Sequence, residues 1–160
     1  NDRNIDTDRS GHSGIVEERV RTSLCNHIEA AVVQDIVGKL LRAGLPQQDI
    51  AVISPFRPQL RLLRTKLPTA IELATVDRFQ GRDFPCVIVS LVRSNPLRMV
   101  GELVADWQRI NVAFTRAQCK LIVVGSRGTL SQSAVFGQFL GLCDERNWAL
   151  NYDQYSYRSS

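Results

Sequence analysis

The 160-residue chain has four cysteines, at 25, 86, 119 and 143, and no two of them stand two to four residues apart. That excludes the paired spacing of a zinc or iron–sulfur site. Cys86 lies in an apolar run and Cys119 beside another, which reads as buried free thiols in a reducing compartment. No run approaches the roughly 20 apolar residues of a membrane-spanning helix, so no membrane partner is expected. The first residues do not read as a signal peptide, and none is expected. The polar, abrupt start Asn1-Asp2-Arg3-Asn4 is expected to be a fragment boundary. There is no G-x-x-x-x-G-K-[ST] loop. Gly38-Lys39 stands inside a helical stretch without the glycines that cradle phosphates. Asp144-Glu145 does not follow an apolar strand, which rules it out as the metal-holding acid of such a site. Nor does one sign of charge dominate: 20 Lys and Arg against 16 Asp and Glu give +4 and a pI near 9.1. That balance permits an anionic partner without requiring one.

What is present suits one domain with a sizeable core, since 44% of the residues are hydrophobic. Residues 1–25 read as a polar edge or loop, 26–150 as the folded domain, and 151–160 as a disordered tail. Asn26 followed by Glu29 is a capping-box-like helix start, with the Glu reaching back to the cap. Apolar residues from Ile28 to Leu41 recur at helical spacing, and Gly44 with Pro46 ends the helix. Short apolar strands are expected at 50–54, 71–76, 87–92 and 121–124. Helices are expected at 58–67, 102–117 and about 130–145. In the third helical stretch Leu103, Trp107, Ile110, Phe114 and Ala117 form one stripe. Apolar strands alternating with helices imply an α/β domain, a mostly parallel sheet with helices on both faces. In such sheets ligands bind beyond the carboxyl ends of the strands. Three stretches fall there on this reading: Ser54 to Gln59, Thr75 to Asp83, and Gly125 to Arg127.

Each polar cluster has an ordinary explanation when taken alone. In Pro55-Phe56-Arg57-Pro58-Gln59 the ring suits stacking on a base and the guanidinium suits phosphate. A surface loop with Phe56 tucked into the core fits equally. Arg57, Arg61 and Arg64 share a helical face, the usual pattern of a solvated surface. Arg116 ends an amphipathic helix, where the helix dipole alone would favour it. Gln80-Gly81-Arg82-Asp83 is a turn whose glycine lets backbone approach a ligand. Thr75 offers a hydroxyl and an N–H to phosphate.

In order, however, SPFRPQ, ATVDRFQGRD, VSLVRSN and RINVAFTRA resemble motif IV, motif V with its extension, and motif VI of superfamily 1 helicases of the 5′-to-3′ type. The resemblance covers about Asn26 to Ser126 and is to the second RecA-like domain of that group, which lacks its own Walker A loop. The N-x-x-E-A helix start at Asn26 also fits. Asp83, Ser94-Asn95, Val100-Gly101-Glu102-Leu103 and Asp106-Trp107 resemble the branch of helicase/nucleases that process DNA flaps. An RNA helicase of the nonsense-mediated-decay type would more usually carry Glu at the position of Asp83. Gln118 departs from a commonly basic residue after Thr-Arg-Ala. A non-catalytic nucleic-acid-binding module is a further alternative.

The resemblance implies roles residue by residue. Phe56 would stack on adenine. Arg57 and Arg116 would reach the γ-phosphate as arginine fingers. Gln80, Gly81 and Asp83 would face the nucleotide. Thr75, with Arg93, Ser94 and Asn95, would hold phosphates of single-stranded nucleic acid. It further implies ATP with Mg2+, shared with a first RecA-like domain outside this chain. Any iron–sulfur cluster would likewise lie in regions absent here. The implied partners are single-stranded or flap DNA and a single-stranded-DNA-binding protein. The implied place is the nucleus, with mitochondria as a second site. Lacking the phosphate loop, the chain alone is expected not to hydrolyse ATP.

Overall fold

The computed structural model describes residues 17–20, 23–79, 81–95 and 97–152. In chain order the elements are β1 (Glu18–Val20), β2 (Ser23–Cys25), α1 (His27–Arg42), a 3-10 turn (Gln47–Asp49), β3 (Ile50–Ile53), α2 (Arg57–Arg64), β4 (Glu72–Ala74), a 3-10 helix (Val76–Phe79), β5 (Phe84–Ser90), α3 (Glu102–Ala105), α4 (Trp107–Phe114), β6 (Ala117–Val124), α5 (Arg127–Leu130) and α6 (Ala134–Glu145). β1 and β2 form an antiparallel hairpin, and the other four strands form a sheet in the order β4-β3-β5-β6 with every pairing parallel.

Strand alternation builds a core on each face of that sheet. Ala51, Ile53, Val87 and Val89 point to one side, where Ile110 and Ala113 of α4 and Phe136 of α6 cover them. Ile50, Val52, Cys86 and Ile88 point to the other, against Ala30, Val33 and Val37 of α1 and Leu63 of α2. The strands read as continuous apolar runs because both faces are buried. The expected α/β architecture, with helices on both faces of a parallel sheet, is therefore the observed one.

Several boundaries differ from the sequence expectation, each for a local reason. The segment expected to be a loop before Asn26 contains the β1–β2 hairpin; Leu24 and Cys25 are buried and β2 packs against α2. Residues 1–16 lie outside the described residues. α2 stops at Arg64, capped by Thr65, whose hydroxyl donates to Leu62 O. The stretch expected as one helix over 102–117 is two, because Asp106 leaves the helical region and caps α4 by accepting from Arg109 N at 3.2 Å. The apolar stripe runs through the break, so periodicity did not reveal it. β5 begins at Phe84 rather than at 87, and the ladder to β6 shifts between Phe84 and Cys86, where Pro85 has no N–H to give. The last helical stretch divides into α5 and α6. Of the tail, 153–160 lies outside the described residues, while the Tyr152 hydroxyl donates to Asp35 on α1.

Candidate functional site at two edges of the sheet

A parallel sheet has a carboxyl edge and an amino edge, and the sequence motifs divide between them. At the carboxyl edge, β3 runs into Ser54, Phe56 and Arg57, β4 into Thr75, β5 into Arg93, Ser94 and Asn95, and β6 into Gly125 to Arg127. Thr75 to Asp83 does not lie there as a unit. The connection leaves β4 at the carboxyl edge and must return to the amino end of a parallel β5. Gly81 and Asp83 therefore sit at the amino edge, as does Arg116, one residue before β6. Gln80 lies outside the described residues.

The amino edge brings Arg116 and Asp83 together, with Arg116 Nη1 3.3 Å from Asp83 Oδ1. They are neighbours because Phe84 pairs with Ala117, and Phe84 N donates to Arg116 O at 3.0 Å. The guanidinium is incompletely satisfied: its Nε is buried without a hydrogen-bond partner among the described residues. The Asp83 side chain is half exposed, at 51%. Gly81 has φ +80, and a Cβ there would meet nothing within 4 Å. Its glycine is thus required by backbone conformation rather than by crowding. Arg82 lies over the rings of Phe79 and Phe84 and pairs with Glu72 at 3.0 Å, which keeps its charge beside β4.

The carboxyl edge places the other motif residues differently from the expectation. Phe56 is 6% exposed and belongs to the core cluster with Ile53, Val76 and Val92. The side chain is packed into the protein interior, which leaves little of it accessible to a base. Arg57 is exposed at the first turn of α2. The hydrogen bond from Arg109, with its charge and a smaller pull from the Arg57 charge, holds the Asp77 carboxyl below the usual range. Arg109 Nε donates to Asp77 Oδ1 at 3.1 Å, which ties α4 to the 3-10 helix after Thr75. Arg57 and Arg116 are not brought together. Six residues of β6 separate the level of Ala117 from that of Val123, which lies level with Val89 and so with Ile53. That is roughly 20 Å of strand. Arg64 gives its guanidinium to the carbonyls of Ile71 and Pro68, Arg127 to Asp144, and Arg93 to Met99 O and Glu17.

Behind the carboxyl edge lies a buried polar network that the sequence did not reveal. Asn26 accepts from Glu29 N at 2.9 Å, as a helix cap should. Glu29 does not reach back to complete a capping box. The Asn26 N–H goes instead to Gln59 Oε1 at 2.8 Å. Gln59 Nε2 donates to Ser90 Oγ at 3.1 Å. Glu29 Oε1 accepts from Ser90 Oγ at 2.8 Å and from Val92 N at 2.9 Å. Its Oε2 is buried with no partner among the described residues. Burial pushes the Glu29 carboxyl up to about 7, against the pull of its hydrogen bonds and with a further push from Glu17. Glu17 in turn accepts from Ser94 N at 2.9 Å and lies 3.3 Å from Arg93. Val92, held by this network, has φ 69, a conformation that costs a β-branched residue on the order of 1–3 kcal/mol.

Glu18, Cys25 and His27 also bring one ligand atom each within 4.8 Å of the others. The His27 ring lies 3.1 Å from Glu18 Oε2, and both side chains are solvated while the thiol is buried. This is the pattern of a solvent-exposed hydrogen bond between β1 and the start of α1.

A family model described as an AAA domain matches residues 4–128. The chain is 40% identical over 141 residues to a DNA replication ATP-dependent helicase/nuclease of Schizosaccharomyces pombe, covering 87% of this chain and 10% of that protein. It is 39% identical over 138 residues to the protein of that name in Saccharomyces cerevisiae, covering 84% and 9%. Against the Homo sapiens protein the identity is 42% over 112 residues, covering 68% and 11%. The chain thus spans about a tenth of the length of the curated relatives it matches.

Proposed function

The chain belongs to the AAA domain family, and on that premise we propose that it is the second RecA-like half of an ATP-driven DNA helicase/nuclease motor. The single observation that carries the reading is Arg116, a guanidinium beside Asp83 at the amino edge whose buried Nε has no partner among the described residues. An incompletely satisfied arginine is suited to an anion arriving from a facing surface. ATP, with its Mg2+, would be held chiefly by a first RecA-like domain outside this chain. From this chain, Arg116 would meet the γ-phosphate and Gly81, Gln80 and Asp83 would border the nucleotide. ATP supplies a phosphoryl group whose transfer needs positioning and charge neutralisation rather than covalent help from protein.

Arg57 takes a different role from Arg116 in this reading. The height of the sheet stands between them, so one phosphate does not serve both. Arg57 joins Thr75, Arg93, Ser94 and Asn95 in a single-stranded DNA track along the carboxyl edge. Phe56 packs the base of that track. The connection from Thr75 to Asp83 then spans both ligands and couples hydrolysis to travel along the strand. The work of the whole protein would be flap processing in replication and DNA repair in the nucleus, with a single-stranded-DNA-binding protein as partner.

The test uses the full-length enzyme. Arg116→Ala should lower DNA-stimulated ATP turnover by about 10³-fold or more, the range for arginine fingers, while single-stranded DNA binding persists. Retained turnover in Arg116→Ala would overturn the proposal. Stimulation by RNA oligonucleotides rather than DNA would move the substrate to RNA.

A further inference from the structure

The backbone at the end of β5 turns abruptly. Arg93 N donates to Leu91 O at 2.7 Å, closing a three-residue turn with Val92 at its centre. With φ 69 at Val92 this is a tight turn of the rare, strained hand. Strain of this kind persists only where the surroundings over-determine it. Here both backbone polar groups of Val92 are claimed from the start of α1. Its N–H goes to Glu29 Oε1 at 2.9 Å, and its C=O accepts from Asn26 Nδ2 at 3.1 Å. Ser90 Oγ bridges the same Glu29 oxygen to Gln59, in the first turn of the helix that begins with Arg57. Asn26, Glu29, Gln59 and Ser90 are all buried. The residues this turn delivers are Arg93, Ser94 and Asn95.

We propose that Glu29 is a positioning residue: it holds the strained turn at Val92, and so fixes Arg93 to Asn95 against the start of α2 as one phosphate-binding edge. The inference rests on the reading of the carboxyl edge as the nucleic-acid track. Glu29 touches no ligand and acts through Ser90, Gln59 and the Val92 backbone. A residue at the first turn of α1 then governs two segments that lie about 30 and 60 residues further along the chain.

The test uses the full-length enzyme and an oligothymidylate as the nucleic-acid probe. Glu29→Ala should raise the KM for the oligonucleotide in the ATPase assay by about tenfold, the worth of one or two net hydrogen bonds. It should leave kcat at saturating oligonucleotide unchanged. Glu29→Gln keeps the accepting oxygen and should restore the wild-type KM. Hydrogen exchange should quicken at Val92 to Asn95 in Glu29→Ala and stay slow in β3. Should Glu29→Ala fail to fold, Ser90→Ala breaks the same chain at a smaller side chain and should raise the KM by a smaller factor. An unchanged KM in the folded alanine variants, or a quickening of exchange throughout the core, overturns the inference. Thr75→Ala separates the two levels. If it too leaves the KM unchanged, the carboxyl edge is not the track; if it alone raises the KM, only the role of Glu29 fails.

Discussion

Two arginines that look equivalent in the sequence stand in different surroundings. Arg116 is partly buried, its Nε has no partner among the described residues, and its other nitrogens make only long contacts to Thr115 Oγ1 at 3.5 Å and Asp83 at 3.3 Å; Arg57 is exposed and acts on Asp77 only through space. Arg57→Ala in the full-length enzyme should therefore weaken single-stranded DNA binding and flatten its salt dependence by about one ion released. It should leave hydrolysis at saturating DNA near normal, the converse of Arg116→Ala. Salt-titrated binding and turnover assays check this. Glu29 carries a pH signature. Its carboxyl is raised in the fold to about 7 from 4.5, so the folded state holds the proton more tightly than the unfolded chain. The associated stability is complete below about pH 4.5 and is lost as pH rises through about 7, a change of ~3 kcal/mol. Urea unfolding from pH 5 to 8 should show wild type losing stability relative to Glu29→Gln, in which that group does not titrate. A parallel pH dependence of the two proteins would contradict the assignment.

At the scale of elements, the strands were readable because both faces are buried, so Ile50–Ile53 and the heart of β5 appear as bare apolar runs. Helix α1 was readable from Asn26, whose side chain does cap it. The same signal misled over Glu29, since a capping box and a long-range hydrogen bond to β5 look identical in sequence. The α3–α4 break was invisible for a related reason. Asp106 interrupts the backbone without interrupting the apolar stripe. Asp106→Ala should destabilise the domain by about 0.5–2 kcal/mol, the worth of an N-cap, and Asp106→Asn should recover most of it. Denaturant midpoints measure both. The Arg109–Asp77 link between α4 and the 3-10 helix is solvent-exposed, and its loss should cost under about 1 kcal/mol.

At the scale of the whole molecule, the set of motifs pointed to the family, but their disposition did not follow from their order. Thr75 and Asp83 are eight residues apart and read as one carboxyl-edge site. Because β4 and β5 run parallel, the end of one and the start of the other lie on opposite edges, and the polar texture of the stretch gives no sign of that crossing. The core is the firmest part of the fold. Ile88 is fully buried at the centre of β5, and Ile88→Ala should cost about 2–5 kcal/mol by calorimetry or urea unfolding. The purified 160 residues should show no DNA-stimulated ATP turnover, since the chain carries no phosphate loop.

The two-edged layout also has a pharmacological consequence. A compound lodged between Asp83 and Arg116 has the whole sheet between it and an occupant of Thr75 or Asn95, so neither displaces the other by contact. Inhibitors of the first kind should compete with nucleotide and be non-competitive toward the oligonucleotide. Those of the second kind should show the reverse, and the two together should bind the same molecule at once.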